Sequence, residues 1–213
     1  MTASQLVERV QRLMIAPRET LPMTLAESGE VKAVLIPYVV ALAAIGPVVG
    51  FLSTGIIGVY QPATTIFNTT IPASYIRMPG TALVAGVIRF AIHLGVWYFL
   101  AVILAKLAPS FGGRDDRPGA FKAAACAATP LWLAGALTLF NSVPHLDALS
   151  YVGATLALAY SVLIGMWAVP LLLSVPEPKA VGHMLAAMGI TVVAAVAAQW
   201  LLTMLIIAPF MLR

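Results

Sequence analysis

Five long apolar stretches set the pattern of this chain. They cover residues 33–59, 81–107, 120–140, 148–173 and 183–211. Each is long enough to cross the core of a bilayer as a helix, which takes about 20 residues. The links between them are rich in polar or turn-forming residues, as in APSFGGRDDRPG and SVPEPKAVG. The pattern therefore predicts an all-α fold over residues 33–213, a polytopic transmembrane helical bundle of five spans.

The first 32 residues follow a different pattern. Within residues 3–15, apolar side chains recur at helical spacing at Leu6, Val10, Leu13 and Met14. The charged side chains outside this stripe are Glu8, Arg9 and Arg12. Residues 1–32 are thus predicted to be a cytoplasmic segment with a short N-terminal amphipathic helix, ended by Pro17. Two placements stay open for it: in the lipid headgroup layer, or packed on loops of the same protein.

Composition supports the membrane assignment. The chain is 61% hydrophobic and only 9% charged, which is too little charge to cover the surface of a soluble domain. Its net charge of +4 comes from 12 basic residues spread along an apolar chain, so no nucleic-acid partner is expected. The charges in residues 1–32 also exclude the apolar core of a cleavable signal peptide.

The basic residues predict the orientation. With the N-terminus inside, the cytoplasmic segments hold Arg9, Arg12, Arg18, Lys32, Lys106, Arg114, Arg117, Lys122 and Lys179. The outer segments hold only Arg77 and Arg213. Because cytoplasmic loops carry an excess of Lys and Arg, this asymmetry predicts a multi-pass protein of a cell membrane. Its N-terminus is then cytoplasmic and its C-terminus periplasmic.

Small residues predict close helix packing. The first span carries Gly46 and Gly50 in a GxxxG spacing, and the third is rich in alanine. Such faces let helices approach closely within one bundle or between copies, so a homo-oligomer is possible.

Three polar side chains within the predicted spans form the candidate intramembrane site: Arg89, His93 and Gln199. Polar groups are expensive at membrane depth and mark functional sites by default. Arg89, His93 and Trp97 are spaced by four residues, which places them above one another on a helix face. His93 can titrate near neutral pH or make one interhelical hydrogen bond. Gln199 is expected to join helices.

Three environments are open for Arg89. Its side chain can extend outward to a lipid phosphate, or it can pair with Asp147, the only acidic residue expected on the outer side. It can also bind an anionic ligand in a cavity.

The residues of known catalytic and metal sites are missing. His93, His145 and His183 lie in separate segments, so no zinc site is expected. No serine or cysteine stands in the context of an activated nucleophile, and no phosphate-binding glycine loop with its lysine is present. We therefore expect no enzyme, no catalytic residues, no metal and no cofactor.

Several motifs carry a family resemblance. LAPSFGG at 107–113, AAACAATPLWLAGAL at 123–137 and the segment 159–183 resemble the bacterial branch of the Yip1 family. The resemblance implies five spans and a bacterial inner membrane. The family-marking positions are Pro109, Gly112, Gly113, Thr129, Pro130, Trp132 and Gly135. Their implied roles are structural: a turn at the cytoplasmic rim, and a break in the third span where Thr129 can bond the carbonyls that Pro130 leaves free.

The resemblance implies little about activity. Eukaryotic members are linked with small Rab-type GTPases, but their DLYGP signature is not visible in this chain, so GTPase binding is assigned to no residue. One hypothesis is a non-enzymatic membrane-organising or scaffold protein that uses its basic N-terminus on anionic lipid and binds an unknown protein partner. The alternative is a small oligomeric transporter or channel for ions or small solutes, with Arg89, His93, Gln199 and the Pro130 break lining one cavity.

Overall fold

The computed structural model describes residues 2–26, 31–66 and 69–206, with side chains except at 24–26, 31–35, 66, 198, 199 and 201–206. The helices are α1 Ala3–Ile15, α2 Pro17–Ala26, α3 Val31–Ala43, α4 Ile45–Phe51, α5 Pro79–Leu107, α6 Arg117–Ala134, α7 Asp147–Leu173 and α8 Glu177–Ile206. A π-helical turn, Leu52–Ile57, and two 3-10 segments, Ala108–Phe111 and Gly135–Ser142, extend α4, α5 and α6. The strands are β1 Val59–Gln61, β2 Thr64–Ile66, β3 Thr69–Ile71 and β4 Ser74–Ile76.

The prediction of an all-α bundle with five spans is confirmed. Within the described residues, the helical stretches long and apolar enough to cross a membrane are Ile36–Ile57, Pro79–Phe111, Arg117–Ser142, Asp147–Leu173 and Glu177–Ala197. The fifth helix begins at Glu177, six residues before the predicted apolar run. Proline is tolerated in the first turn of a helix, where its missing N–H has no partner to lose, so Pro178 does not delay the start. Residues 207–213 of the predicted span lie outside the described part of the chain.

The bundle has two distinct ends. We call one the basic end, defined by Lys106, Arg114, Arg117 and Lys179. The opposite end carries strands β1 to β4, and we call it the hairpin end.

Helix α6 occupies the centre of the bundle. Half of its most apolar window is buried, against 17–39% in the other four spans. It packs against α3, α5 and α7, and its buried side chains include every residue from Ala123 to Thr129. A helix covered by alanine lets its neighbours approach closely on all sides, which explains why the least hydrophobic span takes the central position.

The first and third spans run parallel and in register. The Tyr38 and Thr129 hydroxyls are 2.7 Å apart near one end of this pair, and those of Ser53 and Ser142 are 2.5 Å apart near the other. Between them, a Cβ built on Gly135 would lie 2.7 Å from Gly46 Cα. Two polar pairs and one glycine contact thus hold these spans together along their length.

The segment between the first two spans forms paired strands, where the sequence pattern predicted only a polar connection. β1 pairs antiparallel with β4, and β2 with β3. These strands are rich in Thr, Ile and Tyr, which favour extended backbone. Pro62 and Pro72 both lie in the gap between the two ladders, one on each side of the hairpin. Proline has no N–H to donate, so the ladder is interrupted there.

The N-terminal helices α1 and α2 pack on the bundle itself. Leu13 and Leu21 are 2% and 0% exposed and join the main apolar core. The Tyr160 hydroxyl, halfway along α7, donates a hydrogen bond to the carbonyl of Met14 at 2.7 Å. The apolar stripe of α1 is therefore turned toward membrane helices. The prediction that it packs on loops is wrong, because the long helices of the bundle offer the larger apolar surface.

Candidate functional site

The first candidate residue, His93, joins two helices. Its Nδ1 lies 3.1 Å from the carbonyl oxygen of Ala43. A carbonyl can only accept, so Nδ1 carries the hydrogen and donates it. Its Cε1 lies 3.3 Å from the position that a Cβ would take at Gly46, so the missing side chain makes room for the ring. This arrangement is the single interhelical hydrogen bond, one of the two roles considered for His93.

Arg89 lies one turn away in a different environment. Its side chain is exposed on the flank of the bundle, and its Nη1 lies 3.0 Å from the position of a Cβ at Gly50. Both Arg89 and Asp147 are described, and they form no ion pair with each other. The exposed position on the outside of α5 fits extension toward a lipid phosphate.

Trp97 is partly buried and packs against the core. Its ring packs against Phe121 with centroids 5.4 Å apart, and its Nε1 is buried with no hydrogen-bond partner among the described residues. Each step of four residues turns the helix by about 40° beyond a full circle. Arg89 therefore lies at the surface, His93 at a helix contact and Trp97 against the core. The structure does not bring them together, and the side chain of Gln199 lies outside the described residues.

The turn marked by Pro109, Gly112 and Gly113 joins the ends of two spans. Gly112 has φ +87°, a conformation that glycine adopts without strain. A Cβ on Gly113 would lie 2.7 Å from the carbonyl oxygen of Leu173. The Arg114 N–H donates to that same oxygen at 2.9 Å. The glycines thus let this turn press against the end of α7.

Thr129, beside Pro130, does not bond the carbonyl that this proline leaves free. Its hydroxyl donates to the Ala125 carbonyl at 2.9 Å, whereas the missing Pro130 N–H would have faced Cys126. The predicted role of Thr129 is therefore wrong. The single hydrogen of the Thr129 hydroxyl is donated to the Ala125 carbonyl, so this hydroxyl can only accept a hydrogen bond from Tyr38.

The other two family-marking residues of this span also lie inside the bundle. Trp132 is 5% exposed in the core around Tyr38, and Gly135 provides the contact with Gly46.

Surface depressions adjoin α5 on two of its sides in the described part of the chain. One, of about 290 Å³, lies between α4 and α5 and is lined by apolar residues such as Pro47, Phe51 and Phe90. The other, of about 170 Å³, lies between α5 and α6 at the basic end. The second was not recognisable from the sequence alone, because its two cations, Lys106 and Arg117, stand on different helices. The spacing of Tyr98, Val102 and Lys106 along α5 was the available signal.

No group of three metal-binding side chains occurs among the residues that the structure describes. The acids near the basic end are engaged locally. Asp116 accepts a hydrogen bond from the Gly119 N–H at 3.1 Å, which caps α6, and Asp115 lies 3.6 Å from Lys106.

A comparison with known protein families identifies the family to which the chain belongs. Residues 12–198 match the family model described as the Yip1 domain, a range that begins within α1 and includes all of the fifth candidate span, Glu177–Ala197. Neither the curated proteins nor the solved structures include a match to this chain. The bacterial branch stays a prediction. Because the family model covers most of the sequence and the structure supplies five apolar helices, the chain belongs to the Yip1 domain family and is a multi-pass membrane protein.

Proposed function

We propose that this protein is a non-enzymatic membrane scaffold that binds a partner protein through its N-terminal helix pair. The observation that carries this proposal is the way α1 and α2 are held. Their apolar side faces the bundle, with Leu13 and Leu21 buried there, and this leaves the opposite side of the pair as a binding surface. The side chains that this opposite side exposes include Glu8, Gln11, Arg12, Ile15, Glu19 and Met23.

Several contacts fix the helix pair in place. The Arg9 guanidinium lies 5.1 Å from the centre of the Tyr38 ring, and that of Arg18 lies 4.9 Å from the Trp167 ring. Such cation–π contacts contribute about 0.5–2 kcal/mol each, depending on how far they are desolvated. Together with the buried leucines, they make the pair an ordered platform, which lowers the entropy lost when a partner binds.

The composition of the exposed side suits a protein partner. Ile15 and Met23 are 83% and 58% exposed, and the same side carries the exposed ion pair of Arg12 and Glu8. Exposed apolar side chains next to arginine are typical of protein interfaces, where Met and Arg are enriched. A helix that binds lipid through an apolar face would need that face turned outward, and here the apolar faces of the pair are turned toward the bundle, where Leu13 and Leu21 are buried.

The proposal includes the orientation. The excess of Lys and Arg at the basic end favours the cytoplasmic side of a cell membrane for this end. The helix pair would then meet partners in the cytoplasm.

The interior of the bundle supports a scaffold over a transporter. The central helix is filled with buried alanines, and the buried hydroxyls of Tyr38, Thr129, Ser53 and Ser142 are paired with each other. A transporter would need Arg89, His93 and the Pro130 break to face one cavity. Arg89 instead lies on the flank, and Pro130 lies in the buried centre.

A photo-crosslinking experiment tests the scaffold. A photoreactive amino acid placed at Ile15 in the full-length protein is expected to give discrete protein adducts in cells. The matched control is Tyr151, which is 72% exposed on a span and is expected to react with lipid alone. The charge reversal Arg12→Glu should reduce the Ile15 adducts. Lipid adducts alone at both positions would overturn the partner surface and favour a helix pair lying in the headgroup layer.

A flux assay tests the alternative. Proteoliposomes loaded with a pH-sensitive dye are challenged with ion gradients, and wild type is compared with Arg89→Ala and His93→Ala. The scaffold predicts no flux above that of protein-free liposomes. A flux that depends on either side chain would make α5 the wall of a pathway and overturn the scaffold.

A further inference from the structure

We infer that the cleft between α5 and α6 at the basic end binds an anionic phospholipid, with the phosphate at its mouth and one acyl chain inside. This site goes beyond the proposed scaffold function, because it involves the spans and not the N-terminal helices. We call it the α5–α6 cleft. It is lined by Tyr98, Ala101, Val102, Ala105, Lys106, Arg117 and Phe121.

The walls of the α5–α6 cleft are apolar and aromatic. The Tyr98 and Phe121 rings stand with their centroids 5.4 Å apart, and Ala101 and Ala105 are 1% and 2% exposed. Tyr98 is 57% exposed, so the cleft opens on the outer surface of the bundle. The volume of about 170 Å³ is smaller than the roughly 300–1,000 Å³ of ordinary ligand pockets. It suits part of a single chain, with the rest of the lipid left in the bilayer.

The mouth of the cleft carries two cations. Arg117 forms no ion pair with any described residue, and its guanidinium can bind a phosphate through two parallel hydrogen bonds. Lys106 lies 3.6 Å from Asp115, and the two side chains are 59% and 38% exposed. An exposed pair of this kind contributes little to stability, so a phosphate can compete with Asp115 for Lys106. The neighbouring Asp116 is engaged as the cap of α6.

The order of these groups along α5 matches the order within a phospholipid. Lys106 and Tyr98 are separated by eight residues, or about 12 Å of helix. Charge therefore stands at the basic end and apolar surface follows toward the middle of the bundle. A lipid presents its phosphate and then its acyl chains in the same direction. A free phosphate ion would use the cations and leave the aromatic walls without a partner.

The test measures lipid bound to the purified full-length protein by native mass spectrometry. The protein in neutral detergent is titrated with phosphatidylglycerol, and in parallel with phosphatidylcholine of the same chains. Phosphatidylglycerol is expected to bind more tightly. Arg117→Ala should weaken it about tenfold, the loss of a charged hydrogen bond. Lys179→Ala removes the same charge at the same end, outside the cleft, and should leave binding unchanged.

Two further variants separate the site from a folding defect. Asp115→Asn removes the competing carboxylate and should tighten binding, a gain that a misfolded protein cannot produce. Val102→Phe fills the cleft while keeping both cations and should weaken binding.

Three results would overturn the inference. One is equal binding of the two lipids. Another is an equal loss in Lys179→Ala and Arg117→Ala. The third is displacement of phosphatidylglycerol by inorganic phosphate with no effect of Val102→Phe, which would assign the cations to a soluble anion. None of these results bears on the Ile15 crosslinks, so this site and the scaffold can fail separately.

Discussion

Two hydroxyls inside the bundle form a short chain of hydrogen bonds with a defined direction. The Thr129 hydroxyl has one hydrogen, which it donates to the Ala125 carbonyl. The Tyr38 hydroxyl must therefore be the donor in its 2.7 Å contact with Thr129. Both side chains are buried, at 2% and 0% exposure. The two residues therefore have different roles in this contact: Tyr38 is the donor and Thr129 is the acceptor.

Removing the acceptor should therefore cost more than removing the donor. Thr129→Val leaves the buried Tyr38 O–H without an acceptor and should lower the free energy of unfolding by about 1–3 kcal/mol. Tyr38→Phe removes the donor and should cost about 0.5–1.5 kcal/mol. Equilibrium unfolding in a denaturing detergent measures both values. The double variant is expected to lose less than the sum, and a larger loss in Tyr38→Phe would contradict the assigned direction.

At the scale of elements, the pairing of the first and third spans depends on a contact at which each helix carries a glycine. Gly46 and Gly135 let the two backbones approach, and the hydroxyl pairs on either side keep the register. The GxxxG spacing of Gly46 and Gly50 predicted a close-packing face. In the structure, Gly46 makes room for α6 and for the His93 ring, whereas Gly50 adjoins the Arg89 side chain.

Adding one methyl group at this contact should separate the spans. Gly135→Ala would place a Cβ 2.7 Å from Gly46 Cα, which should destabilise the bundle by about 1–3 kcal/mol. Gly95→Ala is the matched control on α5, because nothing lies within 4 Å of its Cβ. That change should be neutral or stabilise by up to about 1 kcal/mol, from helix propensity alone. Melting temperatures in detergent compare the two, and equal shifts would show that the glycine contact does not limit the packing.

At the scale of the whole molecule, the N-terminal helices form a layer that covers one half of α7. The contacts run from Tyr160, in the middle of α7, to Trp167, nearer its end. Leu21 is fully buried on the side of this layer that faces the bundle, whereas Ile15 is exposed on the opposite side. The helices of this layer are short and meet at Ala16 and Pro17, so we expect the layer to open without unfolding the spans.

Weakening the buried side of this layer should release it. Leu21→Ala removes a core side chain, a change that costs about 2–5 kcal/mol, and should speed tryptic cleavage after Arg18 by at least about tenfold if cleavage follows local opening. The exposed Ile15→Ala should leave the rate unchanged. Cleavage followed by mass spectrometry locates the cut. An equal increase in both variants, or cleavage first within the spans, would contradict a layer that opens by itself.

The number of spans, their helical nature and the amphipathic N-terminus could all be predicted from the sequence. These follow from local properties, since an apolar run of sufficient length must satisfy its own backbone hydrogen bonds in lipid and does so as a helix. The turn residues Pro109, Gly112 and Gly113 were recognisable for the same reason, because a positive φ at Gly112 is a property of one residue.

The sequence does not show which faces of the membrane-spanning helices pack against each other; that depends on the tertiary structure. Lipid chains are as apolar as leucine, so the pattern of apolar residues does not show which side of a span is buried. Arg89 and His93 share a spacing yet lie in different environments, and Tyr38 and Thr129 meet across 91 residues. The α5–α6 cleft likewise depends on two cations that adjacent helices bring together. Contacts of this kind arise from packing between distant segments, and packing is decided by the shapes of small residues once the whole bundle has formed.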